Sequence, residues 1–394
     1  MDVSFPVAVK ILFGTDAIRY PLTGIGRYAY ELARRLSTAS DVESLFYFSV
    51  TGGVNSALPS RPKTGQRERT AVGLRRLASN IRLLTKSYHH VTTILQARSL
   101  RRFNDYLFHG PNYYLPVHRG PCVTTFHDLS VFSWPQCHPA ARVRHMQKEI
   151  QVALKRAQLI LTDSEFTRRE IAAYFSWPLD RILVTPLAVS ADYYPRPVTT
   201  IAPVLLRFGL NFASYSLFVG TLDPRKNIDL LLDVYEKIPN ALRQRIPLIV
   251  VGFEGWNSEK TRARLSAGER AGWARYLNFV DEALLPSLYA GARVFLYPSR
   301  YEGFGLPVLE AMASGIPVIC SNAASLPEVA GSAGALVPPD DVDTLYNVLI
   351  QALEDDSWCA KAKTRGLEQA SHFSWDKTAA ATLNAYKLAY SIIL

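Results

Sequence analysis

No run of 18 apolar residues occurs in this 394-residue chain, so nothing in it reads as a membrane-spanning helix. Cysteine is scarce: Cys122, Cys137, Cys320 and Cys359 form no C-x-x-C pair and no metal-ligand spacing. A chain this long buries enough core to fold without disulfides, and a reducing cytoplasm is the expected compartment. The opening apolar stretch Val7–Phe13 is short, carries Lys10 in its middle and leads into a Gly-containing turn. It reads as a first strand rather than a signal peptide. No internal repeat of 20–50 residues is visible, which excludes solenoids and propellers. Charged residues make up 20% and hydrophobic residues 48%, a balance that excludes a disordered chain.

A uniformly basic character is missing too, although the formal net charge is +10. Residues 1–196 carry 26 basic and 14 acidic side chains, and the remainder carries 18 and 20. Residues 61–102 alone hold 11 basic residues and a single acid, Glu68. Charge gathered in one segment, with few aromatics between the cations, argues against a nucleic-acid partner.

What the chain does contain is an alternation of short β-rich runs with helical patterns, the signature of parallel sheets flanked by helices. Strands are expected near 7–13, 45–50, 105–109, 121–126, 158–162 and 181–185, and again near 215–220, 246–252, 276–280, 293–297 and 316–320. Between these two sets, Pro186 to Pro203 lacks periodicity. The expected organisation is a first doubly wound domain over 1–190, a linker over 191–203, a second over 204–373, and a final helix over 374–394. Ligands in such α/β folds sit beyond the carboxyl ends of the strands.

The strongest local signal is Ser299-Arg-Tyr-Glu302-Gly-Phe-Gly305-Leu-Pro-Val-Leu-Glu310, a strand end, a glycine turn and a helix start. Backbone N–H groups at a helix start, aided by its dipole, receive an anion. Glu302 in the turn and Glu310 in the helix can each accept hydrogen bonds from hydroxyls of one extended ligand. Arg225 and Lys226 follow another strand, where two cations can neutralise a diphosphate. Asp340-Asp341 and Asp355-Asp356 are adjacent pairs rather than an Asp-x-Asp metal motif, so no metal and no cofactor are expected.

Glu302-Gly-Phe-Gly-Leu-Pro-Val-Leu-Glu310 resembles the E-x(7)-E signature of retaining nucleotide-sugar glycosyltransferases of family 4. The resemblance extends through Thr23-Gly24-Ile-Gly26-Arg-Tyr, Thr125-Phe-His127-Asp128-Leu, Thr162-Asp-Ser164-Glu-Phe-Thr167, Val219-Gly220-Thr-Leu-Asp-Pro-Arg225-Lys226-Asn227 and Ser325-Leu-Pro-Glu328-Val. It is nearest the bacterial mannosyltransferases that build O-antigen and other surface polysaccharides. It implies the GT-B fold, two Rossmann-like domains facing a deep cleft, with the terminal helix crossing back onto the first. It also implies a hexose, foremost mannose from GDP-mannose, moved to a lipid-linked or oligosaccharide acceptor. Rhamnose and other deoxyhexoses are the next donors.

The same resemblance assigns residues. His127 is expected to contact the donor sugar, through a hydroxyl or a polarised carbonyl. Asp128 either orients the acceptor or caps the following turn. Glu302 holds a sugar hydroxyl. Arg225 and Lys226 bind the diphosphate, although Thr221 stands where many relatives carry a further Arg. Gly24 and Gly26 admit close backbone approach to donor and acceptor, while Arg27 is either a phosphate ligand or a solvated helix residue. Phe279 and Val280 lie by the nucleobase, and Phe304, Gly305, Leu306 and Glu310 complete the donor site.

The basic segment also shows a helical pattern. Leu74, Leu77, Ile81, Leu84 and Tyr88 share one face, with Arg75, Arg76, Arg82 and Lys86 mostly on the others. Such a helix either packs on the first domain or rests on an anionic membrane, and peripheral contact through 61–102 with the cytoplasmic leaflet is the expectation.

Overall fold

The computed structural model describes residues 8–20, 22, 24–60 and 98–392. The basic stretch over 61–97, with its amphipathic pattern, lies outside the described residues, as does Thr23. Of that segment the description takes in 98–102, which run into a 3-10 turn, Arg101–Phe103.

Two sheets organise the chain. The first is built from β1 (Val9–Gly14), β2 (Val42–Ser49), β3 (Gly53–Asn55), β4 (Leu107–Gly110), β5 (Cys122–Phe126), β6 (Leu159–Thr162) and β7 (Ile182–Val184), in the order β3-β2-β1-β4-β5-β6-β7. All its pairings are parallel except the short β3 edge. The second holds β8 (Ser216–Val219), β9 (Leu248–Val251), β10 (Ala274–Leu277), β11 (Val294–Tyr297), β12 (Val318–Ser321) and β13 (Ala335–Val337), ordered β10-β9-β8-β11-β12-β13 and parallel throughout. Both orders reverse direction beside the first strand of their own sheet, and crevices form at such a reversal. Central strands such as Leu-Ile-Val-Val in β9 and Val-Phe-Leu-Tyr in β11 are buried along their whole length. Helices on both faces require that continuous apolar character.

The connection between the lobes departs from the expected linker. Val198–Arg207 is a helix, with Pro203 inside it and Ile201 and Leu205 buried. Pro195, Pro197 and Pro203 mask its helical period, but Ile201 and Leu205 are four apart and share one face.

The final helix, Trp375–Ser391, lies against the first lobe, beside the helix Gly24–Leu36 and strands β4, β5 and β6. Tyr390 accepts a hydrogen bond from the Leu107 N–H at 3.0 Å and donates to the Lys10 carbonyl at 2.8 Å. Lys387 pairs with Asp41 at 2.6 Å. Thus the chain's end ties the second lobe back to the first. All four cysteines are free thiols. Among the described residues, no helix is long and apolar enough to cross a membrane.

Candidate active site

The site forms where the carboxyl ends of the two sheets face each other. On the first lobe, β5 and β6 run in parallel with Phe126 opposite Thr162. The next residue on each strand, His127 and Asp163, therefore emerge side by side. His127 Nδ1 lies 2.7 Å from Asp163 Oδ2, and Nε2 donates to the Pro111 carbonyl at 3.0 Å. A carbonyl only accepts, so Nε2 carries a hydrogen, and the short contact at Nδ1 requires a second proton on the pair. Burial pulls the imidazolium pKa down, but Asp163, the Pro111 carbonyl and Asp128 outweigh it and the pKa is raised. Burial likewise pushes up the Asp163 carboxyl, against the pull of His127. The 2.7 Å contact holds one proton between the two residues.

With both ring nitrogens engaged inside the first lobe, the part of His127 turned to the cleft is its carbonyl. It lies against Gly303 of the second lobe, where a Cβ would fall 1.7 Å from it. Asp128 caps the turn that follows it and also faces Arg225 of the second lobe. Its Oδ1 accepts from the Ser130 N–H at 2.8 Å, and its Oδ2 lies 3.9 Å from Arg225 across the cleft. Burial works against the Asp128 carboxylate, yet Arg225 and Ser130 hold its pKa below the usual range.

On the second lobe, the loop after β8 is locked by its own side chains. Asp223 caps the 3-10 turn Pro224–Lys226 by accepting from the Arg225 N–H at 3.0 Å. Asn227, at φ 58°, donates to the carbonyls of Pro298 and Pro339 at 3.1 and 2.7 Å. That turn separates the two cations. Lys226 points inward, its ammonium 2.6 Å from Glu302 Oε1 and 2.7 Å from the Tyr297 hydroxyl. Ser299 donates to the same carboxylate oxygen at 2.6 Å. Arg225 points outward to the lobe boundary, donating to the Tyr301 carbonyl at 3.3 Å; its Nε has no hydrogen-bond partner among the described residues and lies 3.8 Å from Asp223 Oδ1. Burial alone raises the Glu302 carboxyl, but Lys226 and Arg225 overcome that and hold it ionised. Burial lowers the Lys226 ammonium, and the Glu302 carboxylate opposes that shift.

The turn that carries Glu302 leads into the helix Leu306–Ala313 through Gly305, whose φ of 109° requires glycine and whose Cβ position lies 2.5 Å from a Leu326 methyl. Among the described residues, no side chain caps this helix. Leu306 opens it, and Phe304 is buried edge-on against Phe373. Glu310 lies little more than one turn in, and burial pushes its carboxyl up to about 7 against the pull of Tyr289, Arg27 and Tyr193. Arg27 is no solvated residue: it reaches from the first lobe to pair with Glu282, just beyond Val280. The Gly24–Gly26 turn therefore lies over the Val280 and Glu310 side of the second lobe. Gly24 is exposed, while Gly26 is packed so that a Cβ would meet the Ala17 carbonyl at 2.8 Å. Phe279 is 59% exposed and sits beside Phe253 with ring centroids 5.5 Å apart, whereas Val280 is buried.

The acidic residues have one correction to add. Asp341 and Asp343 do stand at Asp-x-Asp spacing. Asp341 caps the helix Val342–Glu354 by accepting from the Thr344 N–H, and Asp343 pairs with Lys237 at 3.0 Å. Asp340 pairs with Arg300, Asp355 caps the helix Asp356–Ser371, and Asp356 pairs with Arg293. Both acidic runs thus serve helix ends and ion pairs.

Sequence reasoning gave no role to Asp163, Ser299, Tyr297 or Tyr301. Asp163 was within reach of it, because strands β5 and β6 both end one residue before a polar side chain. Tyr297 reads as an apolar core position, and only the fold turns its hydroxyl to Lys226.

The comparisons with known proteins agree with this geometry. Residues 22–193 match the model described as Glycosyltransferase Family 4, and residues 213–369 that of Glycosyl transferases group 1. The protein of Escherichia coli named O-antigen chain mannosyltransferase B is 46% identical over 380 residues, covering 96% of this chain and 100% of its own. Among solved structures, sucrose-phosphate synthase (tll1590) from Thermosynechococcus elongatus superposes with a TM-score of 0.67 at 20% identity, covering 98% of this chain and 100% of that one. WaaG, a glycosyltransferase involved in lipopolysaccharide biosynthesis, gives 0.67 at 15% identity over 95% and 98% of the two chains. The chain belongs to glycosyltransferase family 4, with the GT-B fold of two Rossmann-like lobes around a closed cleft.

Proposed function

We propose that this enzyme transfers mannose from GDP-mannose, with retention of configuration, to a lipid-linked or oligosaccharide acceptor in the synthesis of O-antigen or another surface polysaccharide. The observation that carries the reading is the cluster Arg225, Lys226, Glu302 and Asp128 between the lobes, in a chain 46% identical over 380 residues to a protein named O-antigen chain mannosyltransferase B.

In this reading the donor diphosphate lies by Arg225 and the uncapped start of the helix Leu306–Ala313. A planar guanidinium whose Nε has no hydrogen-bond partner among the described residues, and a helix start without a side-chain cap, are suited to phosphate oxygens. Negative charge grows on the leaving diphosphate as the glycosidic bond breaks, and fixed positive groups stabilise it there without reorganising. Glu302, held ionised by Lys226, accepts a hydroxyl of the transferred sugar. The His127 carbonyl faces the sugar from the other lobe, and Asp128 receives the acceptor hydroxyl. Glu310 accepts hydroxyls of the ribose, and Phe279 and Val280 flank the nucleobase. The fixed cations support a reaction that needs no divalent metal. Residence in the cytoplasm, with the 61–102 segment on an anionic membrane, completes the reading.

A panel of nucleotide sugars tests the donor assignment by protection against thermal unfolding, since a ligand bound to the folded state raises stability by mass action. GDP-mannose is expected to give the largest rise. A larger rise with a dTDP- or GDP-linked deoxysugar assigns the enzyme to a deoxyhexose instead.

A further inference from the structure

The helix Glu165–Phe175 of the first lobe begins with N–H groups that have no partner within the helix. Ser164 caps the Thr167 N–H at 3.1 Å. The next two are taken by the other lobe: Glu328 Oε2 accepts from the Glu165 N–H at 2.8 Å and Oε1 from the Phe166 N–H at 2.6 Å. A carboxylate receiving two N–H groups at the positive end of a helix dipole makes a charge-assisted clasp.

The same helix start also reaches the catalytic turn. Ser164 Oγ donates to the Gly303 carbonyl at 2.6 Å, and Thr167 Oγ1 donates to it at 3.2 Å. On the other flank of Glu302, the Tyr301 hydroxyl accepts from the Leu129 N–H at 2.9 Å and donates to Glu170. Both neighbours of Glu302 are therefore held by the first lobe, whereas Glu302 itself is held by Lys226 and Ser299 of the second. If the lobes part, the turn loses its hydrogen bonds to Ser164, Thr167, Leu129 and Glu170 at once.

We infer that Glu328 is a positioning residue that couples closure of the lobes to the placement of Glu302. It clasps the helix start whose Ser164 and Thr167 fix the turn, and it stands outside the group of residues that face the donor. Nucleotide binding needs the second lobe, while the productive placement of Glu302 needs the clasp. This inference rests on the glycosyl-transfer reading of the site.

The test uses Glu328→Gln, which keeps the side chain's volume but weakens the clasp, and Ser164→Ala, which removes the hydrogen bond from the clasped helix start to the Gly303 carbonyl. Three quantities are read: kcat for mannose transfer from GDP-mannose, GDP affinity by calorimetry, and the distance between dyes placed on the two lobes, without substrate. Each variant is expected to lose about tenfold or more in kcat, as small displacements at a reacting centre do. GDP affinity is expected to be unchanged, and the dye distances to shift toward a wider separation. In the double variant the losses in kcat are less than the product of the single ones. An unchanged kcat, or a loss of kcat with no change in interlobe distance, overturns the inference. If the wild-type enzyme transfers nothing from GDP-mannose, the donor reading fails, while the interlobe measurement still decides the role of Glu328.

Discussion

The Lys226 ammonium lies 2.6 Å from the Glu302 carboxylate, and each residue is less than a tenth exposed. A buried pair of this kind is strongly destabilising when broken from one side, because the remaining charge has no water and no partner. Glu302→Gln and Lys226→Met are each expected to cost about 3 kcal/mol of unfolding free energy. The double variant is expected to recover most of that loss but to remain inactive, since the proposed reading has Glu302 accept a hydroxyl of the sugar. Chemical denaturation of the three variants checks the cycle; additive losses would show that the pair is not coupled.

Gly303 has room for nothing larger than hydrogen. A Cβ there would sit 1.7 Å from the His127 carbonyl oxygen and 2.9 Å from Asp128 Cβ, both on the opposite lobe. Gly303→Ala is therefore expected to lower kcat by about a hundredfold while leaving nucleotide binding to the second lobe intact. Small-angle scattering should show a more open molecule. Normal turnover would mean that this closed arrangement is not the reacting one.

The His127–Asp163 pair gives a pH signature. His127 has a raised pKa in the fold, so the stability from its protonated form is fully present below about 6.5 and is lost as pH rises through the raised value. Asp163 and Asp128 support that charge, while buried His109, itself lowered to about 3 by its burial and then by His127, stays neutral. Asp163→Asn can still meet Nδ1, now as a donor to neutral imidazole, so the fold persists without the charge. The basic limb of the kcat/KM profile is expected to move to lower pH by about one unit. An unmoved limb would show that the charge on this pair has no part in turnover.

Glu310 titrates in the opposite functional sense. Its carboxyl is pushed up to about 7, mainly by burial. A raised carboxyl contributes stability below its ordinary pKa, and that contribution is lost as pH rises through 7. In the proposed reading, ionisation also makes Glu310 a stronger acceptor for donor hydroxyls. Between pH 6 and 8 the wild-type melting temperature is expected to fall while donor affinity rises, and Glu310→Gln should flatten both. A donor affinity that stays flat in the wild type contradicts the role given to Glu310.

Much of this was legible in the sequence. Alternating apolar runs marked both sheets because strands buried on two faces keep little else, as Leu-Ile-Val-Val in β9 illustrates. Glu302 and Glu310 stood out through the glycine turn between them, and Arg225 and Lys226 through their place at a strand end. The sequence could not separate the two cations. Neighbours in the chain, they are sent in different directions by a 3-10 turn that depends on Asp223 and a left-handed Asn227. The Pro-rich stretch concealed the helix Val198–Arg207, since proline weakened the local signal that Ile201 and Leu205 sustain through packing. The contacts of Glu328 with Glu165 and Phe166 join residues more than 160 positions apart, so only the packed lobes reveal them.

The most direct test of the account is incorporation of labelled mannose from GDP-mannose into an oligosaccharide acceptor in excess chelator, comparing wild type with Glu302→Gln. Full incorporation by the wild-type enzyme without divalent metal, and a loss of about a hundredfold in the variant, are expected. No incorporation by the wild type, or equal incorporation by both proteins, would contradict the account.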